Sequence, residues 1–449
     1  MPAEDVDVVV IGLGPGGEFL TGELARAGLS VVGVDKRLVG GECPYYACIP
    51  TKAMIRASDS LAEARRANEL AGSVQVTPDW TPVAKRLREE ITADWNDQAA
   101  VDRLVKAGAR IERGDGRITG SNEVTVGDRV FRARRGIVLN PGTDPAVPQA
   151  LADTPVWTNR EAVRTTEVPE SMIVLGGGPV GCEFAQVFAR FGAQVTLIQR
   201  NDRLLPQAEP EASEVLKDVF TREGIQVLTG TNVVSATHDG TYFHVVTDKG
   251  TITVKQVLAA AGRVTDLPTL GLKAVGLPDD GRHIEVDDRM RAADGVWAVG
   301  DITGRDAFTH MSMYQAEIAA ADILGKDGPR AQYHAVPHVT FTDPEVAGVG
   351  LTEAGARAKG LNVRTGFTLL SASSRGFVHK LGNDGFVKVV EDADRGVLVG
   401  ASVVGPAGGE ILGALAVAVH AEVLTSTLKG MILAYPTFHR AIGSALADL

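Results

Sequence analysis

Apolar and polar positions fall into blocks whose period changes along the chain. From Val6 the run VDVVVIG is almost continuously apolar, as expected of a strand buried on both faces of a parallel sheet. A glycine-rich turn, the amphipathic stretch GGEFLTGELARAG and a second apolar run ending at Asp35 follow. This predicts strand, helix, strand. The pattern returns in SMIVLGGGPVGCEFAQVFARFGAQVTLIQR, where Gly12, Gly14, Gly17 and Gly28 recur 164 residues later as Gly176, Gly178, Gly181 and Gly192. Between the two copies lies a polar helical stretch, residues 53–107, then strand-like pieces around Ile111 and over 124–137. The Pro- and Gly-dense LNPGTDPAVP reads as a crossing between domains. VLAAAGRVTD ends the second unit, and VWAVGD, residues 296–301, is a further apolar strand ending in Gly-Asp. There Asp301 is either a ligand for hydroxyls or the cap of a helix beginning near Ala307. From about Pro337 alternating segments (HVTFTDPEVAGVGL, DGFVKVVED, GVLVGASVVG) and two helical runs predict a separate α+β domain.

The glycines give each α/β unit a chemistry. Spaced GxGxxG between a strand and a helix, they permit a tight turn and let backbone amides approach a pyrophosphate at the helix N-terminus. In the first unit Asp35 ends the second strand, where a carboxylate binds ribose hydroxyls. In the second unit its counterpart is Gln199, followed by Arg200. Losing the carboxylate removes repulsion against a 2′-phosphate, and an arginine can pair with it. The second site therefore leans towards NADPH, with NADH possible; Arg200 and Arg203 also read as solvated surface charges.

Composition narrows the class without changing this picture. With 449 residues, 44% of them hydrophobic and 22% charged, the chain is expected to form two to four globular domains. A net charge of -11 disfavours nucleic acid and anionic membranes as partners. The N-terminus lacks a basic leader, and runs such as ILGALAVAV are too short for a bilayer, so a cytoplasmic location is expected.

Three cysteines are too few for a secreted disulfide framework. Two of them, Cys43 and Cys48, sit in GGECPYYACIPTK with four residues between them. If a helix opens at about Cys43, its first-turn amides and dipole stabilise a thiolate there. The alternatives are buried packing cysteines or half of a zinc site, and no second ligand pair with metal spacing accompanies them. The third, Cys182, follows the last glycine of the second fingerprint on the inner face of a helix and reads as packing.

Taken together, Cys43-x4-Cys48 followed by Ile-Pro-Thr-Lys, the two fingerprints, VWAVGD and FTDPEVAGVGLTE resemble the class I pyridine nucleotide-disulfide oxidoreductases over essentially the whole chain. That family includes dihydrolipoamide dehydrogenase, glutathione reductase and mercuric reductase. The resemblance implies an FAD domain in two segments (1–148 and 267–335), an inserted NAD(P) domain (149–266) and an interface domain (336–449) that makes a homodimer. It implies that Cys48 faces the flavin, that Cys43 is the interchange thiol, and that Lys52 and Glu183 are the ion pair beside the hydride-accepting nitrogen. Asp35 and Asp301 become ribose and ribitol ligands, and Gly142 lies in an altered Asn-Pro-Gly-Thr turn. Pro15, Lys36, Gly41, Gly116, Gly262 and Gly300 join the fingerprint glycines as nucleotide contacts.

The C-terminus departs from the family. Where disulfide-reducing members carry His-Pro-Thr-x-x-Glu, this chain has Tyr435-Pro436-Thr437-Phe438-His439-Arg440. A phenol, ordinarily with a pKa of about 10, is a poor base. His439, one turn on, is a substitute or a packing histidine. The chain ends AIGSALADL without the cysteine pair that mercuric reductase needs. Pro44-Tyr45-Tyr46-Ala47 adds two aromatics between the cysteines, to shape an acceptor pocket or to pack. The reading is an NADPH-dependent FAD enzyme with a Cys43–Cys48 disulfide relay and a small-molecule acceptor other than glutathione disulfide or lipoamide. A quinone- or diaphorase-type reductase and a redox-sensing flavoprotein are the alternatives.

Overall fold

A computed structural model describes residues 3–449. It divides the chain into two units. The first holds residues up to Thr51, Ala84–Ala146 and Arg263–Gln332; the second holds Lys52–Val83, Val147–Gly262 and Tyr333–Leu449.

The first unit is built on Glu4–Ile11, whose alternate valines Val8 and Val10 and their neighbour Val9 are fully buried. It pairs in parallel with Val31–Asp35 on one side and Arg129–Leu139 on the other. Arg110–Arg113 extends the sheet beyond Val31–Asp35, and Val296–Ala298 extends it beyond Arg129–Leu139, both in parallel. The chain thus leaves the first strand towards one side and returns on the other. The carboxyl ends of Glu4–Ile11 and Arg129–Leu139 form a topological switch point, where open α/β sheets bind ligands. Phe131, Ile137 and Leu139 pack below it with Ile118 and Val124.

In the second unit Ser171–Leu175 is flanked in parallel by Gln194–Ile198 and Gln256–Ala259, repeating the first arrangement. A three-stranded antiparallel sheet, Val233–His238, Phe243–Thr247 and Gly250–Val254, covers this core. The C-terminal part is a five-stranded antiparallel sheet in which Val397–Gly405 lies between Glu345–Gly350 and Phe386–Asp392. Gly408–His420 and His439–Ala447 bury Leu412, Leu415, Ile442 and Leu446 against it.

Residues 53–107, read as one polar helical stretch, are interrupted. The helix Cys48–Leu70 ends at Gly72, whose φ is +148°, and shorter helical pieces resume at Thr81–Arg86, Leu87–Ile91 and Gln98–Lys106. No described helix is long and apolar enough to cross a membrane.

Candidate active site

The first fingerprint turns tightly at Gly12, where φ is +92° and an added Cβ would stand 2.1 Å from the carbonyl oxygen of Asn140. Gly17 is equally constrained, 2.1 Å from Gly12 O. Gly14 occupies the N-cap of Pro15–Arg26 and offers no capping side chain, so the amides of that turn are left for an anion. Gly41 lies beside it, an added Cβ falling 2.7 Å from the Gly14 Cα. Asp35 closes the loop from the neighbouring strand: its Oδ2 accepts from Leu13 N and its Oδ1 from Arg37 N, both at 2.7 Å. Burial pushes the Asp35 carboxyl up against the opposing effect of those amides. Lys36 points out to Asp115 at 3.3 Å. Gly116 is packed against Ile11 and Val34 side chains.

The switch point is completed by a residue the sequence did not single out. The carboxamide of Asn140, turned so that its oxygen accepts from Gly17 N (2.9 Å), donates to Val299 O (3.0 Å). It also touches Ser312 and stands where Gly300 has no side chain. Asp301 does not cap the following helix, since Phe308 holds the N-cap of Thr309–Ile323. Instead Asp301 starts the short turn Asp301–Thr303 and its Oδ2 accepts from Thr143 Oγ1 at 2.7 Å. Arg263 joins the pair, 3.6 Å from Asp301 and 2.5 Å from Thr143 O. Gly142 and Gly262 both adopt positive φ and face open space. A glycine cradle with uncapped helix amides, together with carboxylates at Asp35 and Asp301, fits the pyrophosphate and hydroxyls of FAD.

The second unit repeats this construction with one substitution. An added Cβ at Gly176 would lie 2.2 Å from Ala260 O, and one at Gly181 1.8 Å from Gly176 O. Gly178 is the uncapped N-cap of Pro179–Arg190. Gln199 Oε1 accepts from Gly177 N at 3.1 Å, reproducing the contact between Asp35 and Leu13 with a neutral side chain. Arg200 is exposed, whereas Arg203 is tied to the carbonyls of Ala208 and Pro206. The cradle fits a pyridine dinucleotide.

The helix expected to open near Cys43 begins at Cys48. Cys43 instead sits in the short helix Glu42–Tyr45, capped by Gly41, and the turn at Tyr46 and Ala47 separates it from the helix that opens at Cys48. Both cysteines are partly buried. Cys48 Sγ lies 3.2 Å from Thr309 Oγ1. Tyr45 is buried, and its backbone carbonyl accepts from Trp95 Nε1 at 3.1 Å. One turn after Cys48 on the same helix, Lys52 Nζ reaches both oxygens of Glu183, at 3.0 and 2.8 Å. Glu183 is 5% exposed and its Oε1 also accepts from Phe341 N at 2.9 Å. The ammonium stands 4.9 Å from the centre of the Phe341 ring. Phe341 belongs to the FTDPE motif, whose contact with Glu183 no local pattern announces.

Cys182 is fully buried, and burial pushes its thiol strongly upward, which suits a packing residue. Tyr435 is 71% exposed, and His439 is the half-buried first residue of His439–Ala447. Among the described hydrogen bonds, none joins either side chain to Lys52 or Glu183.

Residues 6–322 match the pyridine nucleotide-disulphide oxidoreductase family, and residues 336–446 match its dimerisation domain. Dihydrolipoyl dehydrogenase of Halobacterium salinarum is 34% identical, over 97% of this chain and 94% of its own length. That of Thermus scotoductus is 33% identical, over 99% and 97%. LpdA from Mycobacterium tuberculosis superimposes with a TM-score of 0.87 at 26% identity, over 98% of this chain and 99% of that one. RclA, an HOCl-induced flavoprotein disulfide reductase from Escherichia coli solved as a Cu(II) complex, shares the fold with a TM-score of 0.87 at 24% identity, over 100% and 99%. The chain belongs to the pyridine nucleotide-disulphide oxidoreductases, FAD-dependent enzymes with two Rossmann-like domains, the NAD(P) domain inserted in the FAD domain, and a C-terminal α+β dimerisation domain.

Proposed function

We propose that this protein is a homodimeric NADPH-dependent reductase that uses the Cys43–Cys48 pair as its electron relay to a small-molecule acceptor. The observation that carries the reading is one helix that opens on Cys48 beside Thr309 and holds Lys52 one turn later in a two-oxygen pair with buried Glu183. FAD, when bound, supplies two-electron transfer between a nicotinamide and a disulfide. The chain's own groups do the rest.

Lys52, aimed by Glu183, stabilises negative charge developing beside it. Amides at the start of the cysteine helix and the Thr309 hydroxyl stabilise a thiolate on Cys48. Reducing the disulfide consumes an electron pair and two protons and yields the thiols of Cys43 and Cys48, with Cys43 as the one that meets the acceptor. Gln199 and Arg200 support NADPH, because the neutral amide takes the place of a carboxylate that would repel a 2′-phosphate. The segments 1–148 and 267–335 form the FAD domain, 149–266 the NAD(P) domain and 336–449 the interface domain.

The curated relatives are named for dihydrolipoyl substrates. We favour a different acceptor here. Tyr435 occupies the position of the family's histidine base, and general acid–base catalysis contributes about 10²- to 10⁴-fold to such exchange. The test is an anaerobic titration with NADPH, with thiols counted, on the wild type and on Cys48→Ser. The expected result is uptake of two equivalents with two new thiols per chain in the wild type, and one equivalent with no new thiols in Cys48→Ser. Acceptor reduction that survives Cys48→Ser would remove the relay and favour direct reduction of a quinone.

A further inference from the structure

The helices Cys48–Leu70 and Pro179–Arg190 are joined by two ion pairs of opposite sense. In the first, Lys52 meets Glu183; in the second, Asp59 Oδ1 accepts from Arg190 Nη1 at 2.9 Å. Both steps are seven residues, so the helices run parallel and hold one register over two turns. Sliding either helix by one step would set Lys52 against Arg190, or Asp59 against Glu183, like charge against like. The same seven-residue stripe continues to Arg66, whose Nη2 reaches Asp343 Oδ2 at 2.5 Å.

Residues 341–343 receive both helices. Phe341 N donates to Glu183 Oε1 at 2.9 Å, while Asp343 exchanges backbone hydrogen bonds with the Gln186 carboxamide, each 2.8 Å. Asp343 Oδ2 accepts from Arg190 Nη2 at 2.8 Å. The Arg190 side chain is 2% exposed and also donates to Glu223 at 2.6 and 3.0 Å. A guanidinium so buried is held only by carboxylates around it, so removing one forces the others to rearrange. Glu183 carries the Phe341 amide and the Lys52 ammonium on the same oxygen, so a shift in 341–343 is passed to Lys52.

We propose that Arg190 and Asp343 are positioning residues for the Lys52–Glu183 pair: they lock the register of the two helices and the Phe341 amide, and so decide where the Lys52 ammonium stands. This rests on the reading of Lys52 as the cation beside the hydride-accepting ring. It adds that the placement is set by a buried network seven residues further along.

The test uses the full-length FAD-loaded protein at pH 8, where Asp59, pushed up to about 6 by burial, is ionised. Lys52→Met is the reference, expected to disfavour flavin reduction by about tenfold, or about 30 mV for a two-electron couple. Asp343→Asn and Arg190→Lys retain Lys52 and are expected to shift the flavin potential in the same direction. They should also lower kcat about 10- to 100-fold with KM for NADPH nearly unchanged. Asp59, 40% exposed, provides a milder variant, which removes one carboxylate from Arg190 and leaves Glu223 and Asp343 in place. The potential shift in Asp59→Asn should vanish in the Lys52→Met background.

A purely structural role would lower the thermal midpoint and leave the potential where it was. Unmoved potentials in Asp343→Asn and Arg190→Lys, or an Asp59→Asn shift that persists without Lys52, overturn the proposal. An unmoved potential in Lys52→Met brings down the reading of Lys52 itself, and the proposal with it, a result distinct from the first.

Discussion

At the residue scale, the contact between Cys48 Sγ and Thr309 Oγ1, 3.2 Å long, gives the thiol chemistry a local handle. A hydroxyl aimed at sulfur stabilises a thiolate and does little for a thiol. Removing it at constant shape, as in Thr309→Val, forfeits about 1 kcal/mol of thiolate stabilisation. The reduced enzyme should then be alkylated at Cys48 about fivefold more slowly at neutral pH, a rate read by mass spectrometry of the modified peptide. An unchanged rate would leave the helix terminus as the sole activator. The cysteines and the fingerprint glycines stand out in the sequence because each lies in a short motif of characteristic spacing, and Lys52 stands out only through the family resemblance. Thr309 was not, because 261 residues separate it from Cys48. Asn140 was visible only as a departure from an expected turn, and its bridging of Gly17 and Val299 depends on strands adjacent only in the folded sheet.

The helix Thr309–Ile323 shows what an element needs beyond its own pattern. Asp322 lies in its last turn, where a carboxylate opposes the helix dipole. Arg291 Nε at 2.6 Å, Arg289 Nη1 at 2.8 Å and Trp297 Nε1 at 2.9 Å compensate and tie the helix to the sheet edge. Burial raises the Asp322 pKa, but these donors together outweigh it and hold the carboxyl down to about 2. A pKa depressed on folding contributes stability that is present above the unfolded value of about 3.9 and is lost as pH falls through the folded one. With a side chain only 3% exposed, the contribution is about 2 kcal/mol at neutral pH. Asp322→Asn should therefore lower the urea midpoint at pH 6 and lower it markedly less at pH 3; a constant difference would refute the linkage. The sequence suggested a helix beginning near Ala307 but not its tether, which lies on other elements. The same limit explains residues 53–107: polar composition announced helix, whereas the breaks follow from Gly72 and from packing that composition does not encode.

On the scale of the whole molecule, the second unit carries a set of exposed apolar side chains on its C-terminal part. Ile432 is 100% exposed, Phe377 83%, Val417 65% and Val378 60%. Isolated chains seldom leave so many large apolar groups in water, and residues 336–446 match a dimerisation domain. Sequence patterning gave this part an α+β character, yet its outward apolar positions looked like ordinary strand and helix faces, since a single chain does not say which face meets a second copy. If Ile432 is covered by the partner subunit, Ile432→Asp places an unpaired carboxylate in that interface, at a cost of several kcal/mol. Light scattering should then show the wild type as a dimer and the variant as a monomer at micromolar concentration. The first unit's cradle is built from one chain, so the monomer should retain FAD and still form two thiols with NADPH. Acceptor turnover should fall if the partner subunit helps to form the place where the acceptor meets Cys43. A variant that stays dimeric would move the interface elsewhere; a monomer with full acceptor turnover would mean that the Cys43 thiol meets its acceptor without help from a second subunit.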